Sequence, residues 1–164
     1  MCAVAHVPHV KGATPLWRWI VTTTATRIPT RTRTVRVPHA AVSVPRMRRT
    51  IVADLRGRDV PSEVVDEAEM VVSELLANSV RHARSLPDGT VRIHWQVKGG
   101  VVEVDVTDGG GGTAPKPLQP SAYSISGRGL RIVRSLAHEW GVLDEDRGCT
   151  VWVCLGGPSR RRRP

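Results

Sequence analysis

The sequence predicts an α+β protein, a two-layer sandwich of a mainly antiparallel mixed sheet with its helices on one face. Three features carry that reading: two amphipathic helical periods come early, the later strands fall into hairpin-linked pairs, and a single helix separates those pairs. The order helix, helix, two strands, helix, two strands places consecutive strands side by side. A two-layer arrangement fits this better than a doubly wound sheet. At 164 residues and 40% apolar content the chain suits one domain. A chain of this size can bury about two-thirds of its surface.

Residues 1–33 mix Thr, Pro, Arg and His without helical or strand period. They are read as a disordered leader, because so little apolar periodicity cannot offset the entropy of ordering. Trp17 and Trp19 are its exception, two indoles on alternate positions. Thr34 to Val37 alternates polar and apolar and is read as an edge strand. Ser43 ahead of Pro45 is a helix-start signature, and Met47, Ile51 and Leu55 form a stripe that stops at Gly57. Pro61 and Ser62, with Glu63, Asp66 and Glu67 close behind, open a longer helix running to about Arg84. Val64, Val65, Ala68, Val71, Val72, Leu75, Leu76 and Val80 recur along it at spacings of three and four, which marks one buried face.

Strand patterning follows. Val91, Ile93, Trp95 and Val97 alternate with polar residues, Gly99-Gly100 supplies a tight turn, and Val102, Val104 and Val106 alternate in the return strand. That strand runs into Asp108 and four glycines. After a loop rich in Gly, Pro and Ser, Gly127-Arg128-Gly129 opens a helix from Leu130 to about His138. A closing hairpin is expected from Trp140 to Leu143 and from Cys149 to Leu155, and residues 157–164 form a basic tail.

The formal charge of +9 is unevenly spread: residues 1–50 carry no acid, and Arg160 to Arg163 add four bases at the other end. Residues 51–159 hold 11 basic and 15 acidic groups, a net of −4. A protein that tracks phosphates carries its charge on the folded face. The balance therefore argues against direct nucleic-acid binding by the core. Cys2, Cys149 and Cys154 make neither a zinc spacing nor a disulfide framework. Nowhere do 18 apolar residues run together, so a membrane span is not expected and the chain is read as cytoplasmic.

Three clusters carry candidate chemistry. Glu74 and Asn78 stand four apart on one helix face, where a carboxylate beside an amide oxygen can hold a hard cation and orient a hydroxyl or water. The same spacing also describes an ordinary solvated pair. Asp108 ends a central apolar strand before Gly109 to Gly112. A carboxylate there can accept from the exocyclic amine of a purine, and glycines let backbone approach a ligand closely. A turn needs only one or two glycines, and four give up more folding entropy than a turn requires. Finally, Gly127-Arg128-Gly129-Leu130 precedes a helix whose free amides favour an anion, although a plain N-terminal turn would look the same.

In this order and on these elements, the clusters resemble the ATP-binding domain of the GHKL (Bergerat) superfamily, shared by histidine kinases, gyrase-type ATPases and mismatch-repair ATPases. The matches are the E-x-x-x-N of Glu74 to Asn78, the D-x-G-x-G of Asp108, Gly110 and Gly112, and the G-x-G-L of Gly127 to Leu130. Within that group, VVSELLANSVRHA and GRGLRIVRSLAHEWGV resemble anti-sigma-factor serine kinases. The resemblance covers about residues 35 to 155, within a domain taken as 34–156. It implies ATP and Mg²⁺ as cofactors, with Asn78 on the metal, Glu74 as base or water-positioner and Asp108 as adenine reader. It places Gly110, Gly112, Gly127 and Gly129 around the nucleotide, with Arg128, Leu130 and Thr150 as lining residues.

The implied activity is a protein serine/threonine kinase that modifies a partner or holds a sigma factor, with a sigma factor or an antagonist protein as partner. Relatives that dimerise make a homodimer an expectation too. The alternative is a nucleotide-binding module without turnover, because the loop Thr113 to Ser126 is short for an ATP lid and offers Lys116 as its only cation. His39 lies in irregular chain, and the leader is too short for a two-helix phosphoacceptor domain. A phosphorylated-histidine mechanism is therefore not expected.

Overall fold

The computed structural model describes residues 31–111, 128–145 and 148–156. The leader up to residue 30, Gly112, the loop Thr113 to Ser126, Gly127 and the basic tail lie outside the described residues. Eight elements follow one another: β1 (Arg31–Pro38), α1 (Ser43–Arg56), α2 (Ser62–His82), β2 (Thr90–Lys98), β3 (Val101–Asp108), α3 (Arg128–Leu136), β4 (Glu139–Glu145) and β5 (Gly148–Leu155). The expected elements are all present, with β1 longer than its alternation predicted because Arg31 to Arg33 also pair with β2.

The sheet order is β1-β2-β3-β5-β4, and every neighbouring pair is antiparallel. Gly99 and Gly100 both hold positive φ, 58° and 79°, so the β2–β3 turn has the doubly left-handed backbone that matches strand twist. Parity then sorts the side chains. Val91, Ile93 and Trp95 of β2, Val102, Val104 and Val106 of β3, and Val153 and Leu155 of β5 are buried on the helix-facing side. Met47, Ile51 and Leu55 of α1, the stripe of α2 from Val64 to Leu76, and Val133 of α3 pack onto them from that one side.

Both helices start where their signatures placed them, α1 at Ser43 and α2 at Ser62, and neither start has a side-chain cap. Ser43 is the first residue of α1 rather than its cap, and it is buried. Its hydroxyl donates to the Pro38 carbonyl at 2.7 Å, tying the helix start to the end of β1. Pro45 still fits, since a first-turn position needs no donor. In α2 the cap position is Pro61, and no side chain caps the helix.

The helix layer is fastened to β2 at Asp54. Its carboxylate accepts from the Trp95 indole N–H at 2.7 Å, Arg58 at 2.7 Å and Arg33 at 3.0 Å. Arg33 also lies over the Trp95 ring, 5.6 Å from its centroid. Burial alone would raise the Asp54 carboxyl pKa. The bonds from Trp95, Arg58 and Arg33 outweigh that and hold it below the ordinary range.

Candidate functional site

Asp108 is the last residue of β3, and by the parity of Val102, Val104 and Val106 its side chain turns to the helix-facing side. There α2 passes over the end of the strand. The chain leaving α2 is locked to the chain leaving β3 by two backbone bonds, Arg84 N–H to Gly110 O at 2.9 Å and Gly109 N–H to Arg84 O at 2.8 Å. Gly109 is obligatory for this bridge, because a Cβ there would overlap the Ser85 carbonyl. Gly148 makes a second close approach, where a Cβ would strike the carbonyl oxygen of Asp108. The strand end is thus held by backbone on two sides. Gly110 is left-handed, with φ 74°, and its amide donates to Asp108 Oδ1 at 2.8 Å.

The carboxyl of Asp108 is partly desolvated. Burial pushes its pKa up, while the Gly110 amide, the Ser79 hydroxyl and the His39 ring pull it down without cancelling the rise. Ser79 occupies the turn of α2 after Leu75 and Leu76 and is only 3% exposed. It lies near enough to Asp108 to affect its ionisation, yet forms no well-made bond. Among the described residues, Ser79 Oγ is the buried side-chain polar atom left without a hydrogen-bond partner. Such a hydroxyl costs roughly 1 to 3 kcal/mol unless a water or ligand completes it. His39 is tied to Ser79: its Nε2–H donates to the Ser79 carbonyl at 3.1 Å, and its own amide donates to Gly89 O at 3.1 Å.

Glu74 and Asn78 are half-buried one turn apart on α2, and Asn78 immediately precedes Ser79. Gly129 falls in the first turn of α3, with Arg128 before it and Leu130 after it, and that turn carries no acidic residue. Free amides there suit an anion. Gly112 and Gly127 lie outside the described residues. Thr150 is not brought to this place. It pairs with Thr107, one residue off the parity of Asp108, and its hydroxyl bonds that of Thr107 at 2.8 Å on the opposite face of the sheet. His82 and His138 are exposed, and Trp140 packs against the core.

Sequence reading missed Ser79, His39 and Cys149. Ser79 had a signal, a polar residue in register with the apolar stripe of α2. Cys149 had none, because only the pairing of β3 with β5 sets it opposite Asp108.

Arranged this way, the site offers a half-desolvated carboxylate with an unfilled hydroxyl beside it, glycine backbone next to the carboxylate, and a helix start within the same layer. That combination can read a hydrogen-bond donor edge on a flat ring and hold an anion attached to it. A family model described as histidine kinase-like ATPase domain matches residues 37–155. No curated protein matches the chain. Among solved structures, the chain is similar to the crystal structure of the RsbU and RsbW domains of Rv1364c from Mycobacterium tuberculosis, with 18% identity and a TM-score of 0.60. The match covers 80% of this chain and 34% of that one, so this chain spans about a third of that length, and the likeness is one of fold.

Proposed function

This chain belongs to the histidine kinase-like ATPase domain family, and on that premise we propose that it is an ATP-binding regulator that works as a protein serine/threonine kinase of the anti-sigma-factor type. The observation that carries the reading is the Asp108 carboxyl with the unpartnered Ser79 hydroxyl beside it, at the end of the central strand and next to a left-handed Gly110. A purine amine donating to Asp108 fits that chemistry. Gly110, Gly112, Gly127 and Gly129, with Arg128 and Leu130, would surround the nucleotide.

Mg²⁺ fits the site as a partly hydrated ion. Mg²⁺ normally takes one or two protein oxygens with phosphate and water supplying the rest. Asn78 would hold it through its amide oxygen. Bound there, the ion would offset phosphate charge. Glu74, one turn away, would accept the proton of a partner's hydroxyl as that oxygen bonds the γ-phosphorus and ADP departs. The partner would be an anti-sigma-factor antagonist protein, and a sigma factor could be held by the same domain. No helix among the described residues is long and apolar enough to cross a membrane. We assign the domain to residues 31–156, its start earlier than the expected 34 because Arg31 to Arg33 pair with β2, flanked by a leader and a basic tail.

Titration and label transfer test this. At about 100 times Kd, Mg·ATP should stabilise the fold by roughly 2.7 kcal/mol. Glu74→Ala should bind ATP nearly as wild type does but transfer γ-label to an antagonist protein roughly 10² to 10⁴ times more slowly. Asn78→Ala should lose Mg²⁺-dependent affinity. Binding by wild type without transfer to any antagonist would instead favour a nucleotide module without turnover. That second reading rests on the loop Thr113 to Ser126, with Lys116 as its only cation.

A further inference from the structure

We propose that the Cys149 thiol lines the base-reading end of the nucleotide site beside Asp108 and Ser79, so that bound nucleotide shields it from electrophiles. The inference rests on the nucleotide reading above and adds a residue to it.

Strand pairing carries the argument. Cys149 is the direct cross-strand partner of Asp108, so the two side chains leave the sheet on the same face, towards the helices. The neighbouring Thr107 and Thr150 leave on the other face and bond to each other there. Cys149 also borders the glycine loop. A Cβ built on Gly110 would meet the Cβ of Cys149 at 3.9 Å, so the glycine loop passes directly beside the Cys149 side chain. The independent sign of a ligand is Ser79 Oγ, 3% exposed, without a well-made hydrogen bond, and close enough to Asp108 to influence its ionisation. Cys149 itself is half-buried, whereas Cys154 is buried.

Cys154 serves as an internal comparison. It sits on the far face opposite Glu103, is buried, and its thiol is pushed up to about 12 by burial and by Glu103, Glu139 and Asp105. A thiol so rarely ionised reacts slowly. In labelling by N-ethylmaleimide, the Cys149 sulfur adds across the maleimide double bond. One S–C bond forms and the thiol proton ends on the adjacent ring carbon, with no oxidant or leaving group.

The experiment uses the full chain with Cys2→Ser, following maleimide addition by intact mass and peptide mapping. Without nucleotide, Cys149 should label well ahead of Cys154, and Cys149→Ser should remove that fast phase. Mg·ATP at about 100 times Kd leaves roughly 1% of sites empty and should slow the phase by up to roughly 100-fold. ATP binding seen by titration with no change in the Cys149 rate would overturn the inference and leave the nucleotide reading intact. A Cys149 that labels no faster than Cys154 in the empty protein would overturn it as well. Absence of ATP binding by titration would overturn the nucleotide reading and this inference together.

Discussion

Asp54 and Asp108 both place a carboxyl between the sheet and the helix layer, one reaching β2 from α1 and the other leaving the end of β3 beneath α2. Asp54 is saturated: an indole and two guanidinium groups donate to it, and its pKa falls. Asp108 accepts one backbone amide well, its remaining neighbours do not offset its burial, and its pKa rises. A carboxylate whose needs are met inside the fold is a fastening. One left short by burial keeps capacity for something from outside, which is the usual condition of a binding group.

The contrast breaks most visibly at Asp54. Asp54→Ala would strand the indole N–H of the fully buried Trp95 and release Arg33 and Arg58, costing roughly 2 to 4 kcal/mol in denaturant unfolding. Because its folded pKa is lowered, the stabilisation is complete above the unfolded value near 3.9 and is lost as pH falls through that value towards the folded one. A loss under 0.5 kcal/mol would end its description as a fastening.

Next in size is Gly109→Ala, which drives a methyl group into the Ser85 carbonyl and parts the loops after α2 and β3. We expect a cost of roughly 1 to 3 kcal/mol, typical of overpacking. ATP affinity should fall with it, since the same bridge holds Asp108. Unchanged affinity would separate the bridge from the site.

Asp108→Asn should do the opposite of Asp54→Ala. It keeps an acceptor for the Gly110 amide and removes a charge whose pKa burial has raised, so the nucleotide-free protein should melt slightly higher than wild type near neutral pH while ATP binding is lost. A raised pKa means the folded state binds its proton more tightly. The advantage of Asn should therefore shrink as pH falls through the raised value and wild type neutralises itself. A lower melting temperature at neutral pH would show that Asp108 is a structural residue like Asp54.

The smallest effect is expected at Ser79→Ala. Removing an unpartnered buried hydroxyl should change stability by less than about 0.5 kcal/mol, or raise it, with a measurable fall in ATP affinity by titration. A clear loss of stability would mean the hydroxyl is already satisfied.

Much of this was legible in the chain. Helical period marked α1 and α2, Gly99-Gly100 marked the β2–β3 turn, and alternation marked the strands, because burying one face writes its own spacing into a segment. The motif trio also marked Glu74, Asn78 and Asp108 as one candidate site. Ser43 marked the start of α1, but its bond to the Pro38 carbonyl was not legible, since that acceptor depended on where Pro38 came to lie.

Local pattern thus determined the elements, the face each would bury and the residues worth suspecting. Tertiary structure alone decided that Asp54 would be filled and Asp108 left open, that Ser79 would stand beside that open carboxyl, and that Cys149 rather than Thr150 would share its face. Periodicity constrains a segment against itself. Register between β3 and β5, whose partners lie 41 positions apart along the chain at Asp108 and Cys149, arises only when the sheet closes, and a shift of one residue would exchange the two faces.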